Sequence, residues 1–213
     1  MLEKIIQTIN SFKLKKPTTV LHIGANSGQE VAKYEKLGLT GFHVEAIPDI
    51  FSILDGKCRL TNNQKAINVC VSDEIGKNIS FNIASNGAQS SSIFPLGRHA
   101  SEYPNIKYTT TVSLSTDTID HLIKTNIIPG DVNFVVIDVQ GAEMLVLMGS
   151  QNLLLSPDLI GLVVEVSAEP LYEGGASFMQ VNEYLNKCKF FLQGVNFNNH
   201  GWGDAVYLRS WWI

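Results

Sequence analysis

Short runs of β-branched and other apolar residues recur along the chain, separated by stretches whose apolar positions fall at helical spacing. Thr19 to Ile23 predicts a first strand, and Gln29 to Leu37 the helix after it. Gly41 to Ala46 predicts a second strand, ended by Ile47-Pro48, with Pro48 opening a helix through Phe51 and Leu54. Gln64 to Val71 reads as a third strand. Helical spacing returns at Thr118 to Lys124, capped by Thr118 or Asp120. Asn133 to Val139 is a strongly apolar strand, followed by a helix through Met148. Leu159 to Val166 is another such strand, and a helix runs from about Ser177 to Lys187. Lys189 to Val195 and Ala205 to Arg209 close the pattern as strands, joined as a hairpin through Asn198-Asn199-His200-Gly201. Such alternation belongs to βαβ units around a mostly parallel sheet, an α/β fold.

Two segments depart from that rhythm. Leu2, Ile5, Ile6, Ile9 and Phe12 predict an N-terminal amphipathic helix, within residues 1–17, that packs on the domain. Between Lys77 and Leu114, Ile79, Phe81 and Ile83 alternate like a strand, as do the residues from Tyr108 to Leu114. The polar run Ala84 to Ser92 lies between them, so residues 77–114 form a β excursion carrying a long loop. A loop of that length is either functional or disordered.

Composition narrows the classes. A chain of 213 residues with 45% hydrophobic and 17% charged content is expected to be one soluble globular domain, 1–213. A net charge of -4 without a Lys/Arg cluster argues against nucleic acid as the partner; Lys13, Lys15 and Lys16 read as a solvated segment. No apolar stretch has membrane-spanning length, and Glu3 and Lys4 interrupt any signal-peptide pattern, so the expected place is the cytoplasm, without membrane insertion. Cys58, Cys70 and Cys188 are far apart and lack metal-ligand spacing, as expected of reduced thiols.

The chemistry is concentrated where strands end. Val20-Leu21-His22-Ile23-Gly24-Ala25-Asn26-Ser27-Gly28 runs an apolar strand into a small-residue turn, and Glu45 lies about 20 residues beyond Gly24. A tight turn, a helix N-terminus and a carboxylate for ribose hydroxyls are how an α/β protein holds an adenosine. A dinucleotide fingerprint needs a glycine where Asn26 stands; S-adenosylmethionine, lacking a pyrophosphate, does not. Ligands of open parallel sheets bind beyond the strands' carboxyl ends, which places His22, Asn26, Glu45, Ser72, Asp73, Asp138, Gln140 and Glu165 along one edge. Each of these carboxylates is otherwise a helix cap.

The stretch Val136-Ile137-Asp138-Val139-Gln140-Gly141-Ala142-Glu143, with Val146-Leu147 and Gly149 after it, resembles the signature of the FkbM family of S-adenosylmethionine-dependent methyltransferases. The likeness extends to Gly24-Ala25-Asn26-Ser27-Gly28, Glu45-Ala46-Ile47-Pro48, Val71-Ser72-Asp73, Thr118-Ile119-Asp120 and Gly203 to Tyr207, across roughly residues 18–209. It implies a Rossmann-like class I methyltransferase: a mostly parallel seven-stranded sheet with one antiparallel strand, helices on both faces, and methylation of a hydroxyl oxygen. Family members commonly act on sugars of cell-surface glycans or on natural products. By position, the resemblance assigns Gly24, Asn26 and Gly28 to the methionine part of the cofactor and Glu45 to its ribose. It sets Ser72 and Asp73 by the adenine, and Asp138 and Gln140 at the methyl-transfer site with Glu143 behind them. The chain departs from the family at His22, where Asp is usual, and at Gln140, where Glu is usual; an amide hydrogen-bonds but cannot act as a base.

The reading is therefore an S-adenosylmethionine-dependent O-methyltransferase acting on a small-molecule or glycan hydroxyl. Removing the acceptor's proton falls to Asp138, Glu165 or His200. A divalent cation shared by Asp138 and Glu165 is a further expectation. Acceptor contacts fall to the Asn86 to Ser92 loop and to Tyr172, Glu173, His200 and Trp202. Two alternatives remain: a nicotinamide-dependent oxidoreductase, disfavoured by Asn26, and a nucleotide-binding module without catalysis.

Overall fold

A computed structural model describes residues 16–209. The expected N-terminal helix lies outside them for nearly all of its length. Ten strands and seven helices follow in the order β1 (Thr19–Ile23), α1 (Val31–Lys36), β2 (Thr40–Glu45), α2 (Pro48–Cys58), β3 (Gln64–Asn68), β4 (Cys70–Val71), β5 (Asn78–Ala84), α3 (His99–Glu102), β6 (Tyr108–Asp117), α4 (Ile119–Lys124), β7 (Phe134–Ile137), α5 (Glu143–Met148), α6 (Gln151–Leu155), β8 (Gly161–Ser167), α7 (Phe178–Lys187), β9 (Phe190–Phe197) and β10 (Trp202–Arg209).

Seven strands form the main sheet in the order β3-β2-β1-β7-β8-β10-β9, with β4-β6-β5 as a smaller second sheet. All pairs of the main sheet are parallel except those of β10, which runs antiparallel to both β8 and β9. Chain order reverses between β1 and β7, so the crevice of an open α/β sheet opens above those two strands. Both faces are covered. Leu21, Ile23, Val135, Ile137, Leu162 and Val164 pack against α4, α5, α6 and α7, while Val20, Phe134 and Val163 form a second cluster with Tyr34 of α1. Leu54 and Cys58 of α2 close a third cluster over Ala25 and Val31.

Local chemistry accounts for most boundaries. Thr118 caps α4, its hydroxyl accepting from the His121 N–H at 3.2 Å, and Ser177 and Gln180 build a capping box at α7. The closing hairpin turns through Asn198 to Gly201, with Gly201 at φ 76°. The third strand is shorter than its apolar pattern predicts. Asn68 turns its amide onto the carbonyls of Glu45 (2.8 Å) and Ala46 (3.1 Å), ending the ladder, and Cys70–Val71 leave to pair with Thr116 and Asp117 of β6. The first helix also starts late, at Val31. Among the described residues, no helix is long and apolar enough to cross a membrane.

One contact positions the crevice. The Ile23 carbonyl accepts from the Asp138 N–H at 3.0 Å, drawing the ends of β1 and β7 together. Gly24 sits there at φ 84°, and a Cβ on it would stand 1.7 Å from the Asp138 carbonyl oxygen. Gly24→Ala is therefore expected to lose on the order of 3 kcal/mol of unfolding free energy. Gly130→Ala, with no neighbour within 4 Å of its added Cβ, is expected to stay within about 0.5 kcal/mol of wild type. Urea denaturation of the two variants checks the pair.

Candidate active site

Above the β1–β7 crevice lies a cavity of about 620 Å³, in the size range of small-molecule sites. Gly24 and Asn26 from the glycine turn, Glu45 from β2, Asp138 and Gln140 from the turn after β7, and Glu165 from β8 all line it. Three N–H groups of the turn are taken up inside the protein. Those of Gly24 and Ala25 donate to the Val44 carbonyl at 3.0 and 2.9 Å, and that of Asn26 to the Glu45 carboxylate. These three amides are not free for a pyrophosphate, which weighs against the dinucleotide reading. Burial pushes the Glu45 carboxyl up, while the N–H groups of Ile47 (2.8 Å), Asn26 and Ala46 draw it down.

Four of the predicted catalytic and cofactor residues lie elsewhere. Gly28 does not line the cavity; its Cα faces Leu54 and Val31, so it serves the packing of α2. Ser72 and Asp73 point away from it: the Ser72 N–H donates to the Asp117 carbonyl at 2.8 Å and its hydroxyl to Asp73 at 3.0 Å. The departure of β4 toward β6 brings Val69, Cys70 and Val71 to the cavity in their stead. His200 is also outside the lining. Its Nδ1 is 2.8 Å from Glu102, and its ring packs on Tyr103 at 4.7 Å.

The Asn86 to Ser92 loop is ordered and closes one side of the cavity. Its frame is polar: Ser90 N–H to Asn86 Oδ1 (3.2 Å), Ala84 N–H to Ser91 Oγ (2.9 Å) and Ser92 Oγ to the Gln140 carbonyl (2.7 Å). Ile47, Cys70, Phe81, Ala88 and Ile93 make an apolar wall beside it, and Tyr103 and Trp202 stand at another side, joined by a 2.7 Å bond from the indole N–H to the phenol oxygen.

At the centre is a carboxylate pair. Continuing the β7–β8 register one residue past Ile137 and Val164 brings Asp138 beside Glu165. Gln140, at φ 54°, places its Nε2 2.7 Å from Asp138 Oδ1 and 2.7 Å from Glu165 Oε2, while its Oε1 accepts from the Tyr172 hydroxyl at 2.7 Å. Burial raises both carboxyls, and Glu165 more, because Asp138, Glu143 and Asp204 also face it. Their mutual interaction draws the Asp138 carboxyl down and pushes that of Glu165 further up. An amide donor stands where the expected shared cation would sit. Among the described residues, no group of three His, Cys, Asp or Glu side chains is arranged to hold a metal ion.

Sequence reasoning missed Asp204 as a site residue. It pairs with Glu165 across β10 and β8, lines the cavity, and has its carboxyl pushed up to about 6 by burial and by Asp138. Only the antiparallel register brings it there. His22 is buried as the neutral ring, its Nδ1 3.2 Å from the Tyr34 hydroxyl; burial and then His43 lower its pKa to about 3.

This sheet order, with its reversed strand and its cavity at the switch point, defines the class I S-adenosylmethionine-dependent methyltransferase fold. Magnesium protoporphyrin IX methyltransferase from Synechocystis PCC 6803 is similar in its structures with bound SAM (TM-score 0.54, 10% identity, 98% of this chain and 77% of that one) and with bound SAH (TM-score 0.54, 9% identity, 98% and 81%). The chain belongs to the FkbM methyltransferase family, whose domain model matches residues 22–192. No curated protein matches the chain.

Glu143 supports the site from behind. Its Oε1 accepts from the N–H groups of Val139 and Gly141, both at 3.1 Å, and burial pushes its carboxyl up to about 7. A carboxyl raised on folding takes up a proton, so its contribution is fully present below the unfolded value near 4.5 and is lost as pH rises to about 7. Glu143→Gln is expected to flatten that decline, gaining on the order of 2 kcal/mol relative to wild type between pH 4.5 and 8. Urea midpoints across that range check it.

Proposed function

We propose that the chain is an S-adenosylmethionine-dependent O-methyltransferase acting on a hydroxyl of a sugar or glycan, with Asp138 as the base. The observation that carries this reading is the Asp138 carboxyl at the carboxyl end of β7, held by the Gln140 amide in the same cavity as the glycine turn and Glu45. The residues present fit the donor. Glu45, pinned by backbone N–H groups, suits a ribose diol, and the wall of Ile47, Cys70, Phe81 and Ile93 suits a flat heterocycle. The acidic side chains of Glu30, Glu45, Asp138 and Asp204 favour a ligand of positive charge. When bound, the donor supplies an electrophilic methyl group on a sulfonium.

Asp138 then accepts the proton of the acceptor hydroxyl as that oxygen becomes nucleophilic, a contribution of about 10²–10⁴ in rate. Positioning of the hydroxyl supplies the remainder. Asn86, Gln89 and Ser90 offer hydrogen bonds, and Tyr103 and Trp202 offer aromatic edges, a combination that suits a polyhydroxylated ring.

Asp138→Asn is expected to lower kcat by at least about 10² while leaving the affinity for S-adenosylhomocysteine within about threefold. Glu45→Ala is expected to weaken that affinity at least about tenfold. Calorimetric titration with S-adenosylhomocysteine, and methyl transfer from labelled S-adenosylmethionine to a panel of glycans, check both. An Asp138→Asn variant with wild-type turnover would remove it as the base.

A further inference from the structure

Tyr172 has no part in the scheme above, yet its surroundings are built around one hydrogen bond. The residue is 4% exposed, and its ring lies against Gly141, where an added Cβ would stand 2.8 Å from the Tyr172 Cβ. Its hydroxyl carries a single proton. Two acceptors are in range, the Gln140 Oε1 at 2.7 Å and the Ser90 carbonyl at 3.4 Å, and the shorter, stronger bond takes it. Burial holds the Tyr172 phenol well above its usual range, so it remains a donor throughout the working pH range.

That donation fixes which way the Gln140 amide faces. With Oε1 engaged by a hydroxyl, the NH2 group is turned to Asp138 and Glu165, 2.7 Å from each. The backbone beneath is held as well: Gln140 is in the left-handed region at φ 54°, and its carbonyl accepts from the fully buried Ser92 at 2.7 Å.

We propose that Tyr172 is a positioning residue that acts through Gln140: it orients the amide so that its NH2 group, and not its oxygen, faces Asp138 and Glu165. The clamp rests on the methyltransferase reading only for its use, since the hydrogen bonds themselves are independent of the acceptor. Both carboxyls receive one amide N–H, at 2.7 Å each. The groups facing the pair are Glu30 and Lys33 of α1, Glu45 of β2, Glu143 of α5 and Asp204 of β10, with His22 of β1 neutral. Tyr108 of β6 and His99 of α3 face Tyr172. Of all these only Lys33 is cationic, so the neutral amide is the nearest donor available to stabilise charge on Asp138. Releasing it disfavours the ionised form.

The test is a carboxyl ¹³C NMR titration of the whole chain, comparing wild type with Tyr172→Phe and Gln140→Leu. Phenylalanine keeps the ring against Gly141, so the phenol oxygen alone is removed. In wild type, Asp138 is expected to ionise at lower pH than Glu165. Its midpoint is expected to rise by about one pH unit in Tyr172→Phe and further in Gln140→Leu. An Asp138 midpoint unmoved in either folded variant overturns the proposal. Should neither variant fold, the Gln140 side-chain NH2 of wild type decides, and exchange with solvent at the rate of a free amide overturns it. Calorimetry with S-adenosylhomocysteine runs beside the titration: wild type that fails to bind it, yet titrates as expected, would sink the methyltransferase reading and leave the clamp standing.

Discussion

Everything at the site depends on how closely two backbone segments meet at the centre of the sheet. The ends of β1 and β7 meet through the Ile23 carbonyl and the Asp138 N–H, and Gly24 lies so near the Asp138 carbonyl that no side chain fits between. The same turn is tied to β2 through the Val44 carbonyl and the Glu45 carboxylate. Three strand ends are thus locked by one absent methyl group. Residues more than a hundred positions apart share a cavity because of it.

This arrangement also explains why the glycine turn carries so little free hydrogen-bonding capacity. Its amides serve the protein, and the polar work of the cavity falls to carboxylates and one amide. Burying acids side by side is unfavourable unless some hold protons and the rest are hydrogen-bonded. Both remedies are present: burial and its acidic neighbours push the Glu165 carboxyl well up, Asp138 and Glu143 receive N–H donors, and Gln140 links two acids without adding a charge of its own. Glutamate at position 140 would place a third carboxylate within reach of the pair.

Much of this was legible in the residues, and the parts that were not share a cause. Strand periodicity gave the sheet, and the ends of β1, β2, β7 and β8 gave Gly24, Asn26, Glu45, Asp138, Gln140 and Glu165, all of which line the cavity. Ser72 and Asp73 do not line it, because an apolar run does not reveal that its last residues change sheets. His200 looked available because its capture by Glu102 is a contact across 98 residues. Asp204 was invisible for the same reason, since its role follows from an antiparallel register. Linear spacing reports what one segment does alone, and these residues depend on their partners.

The hairpin of β5 and β6 carries a consequence for how specificity can change. Its strands pair with each other from Asn78 and Ser115 to Ala84 and Tyr108, and the apolar wall belongs mostly to the hairpin itself. Residues 85–107 therefore form an insert that enters and leaves the fold at adjacent points, anchored to the turn after β7 through Ser92 and to the closing hairpin through Tyr103–Trp202 and Glu102–His200. Such an insert can be exchanged as a cassette, like the interchangeable head of a tool, provided these couplings are kept. The scaffold that holds Asp138 would keep its shape while the mouth of the cavity acquired another.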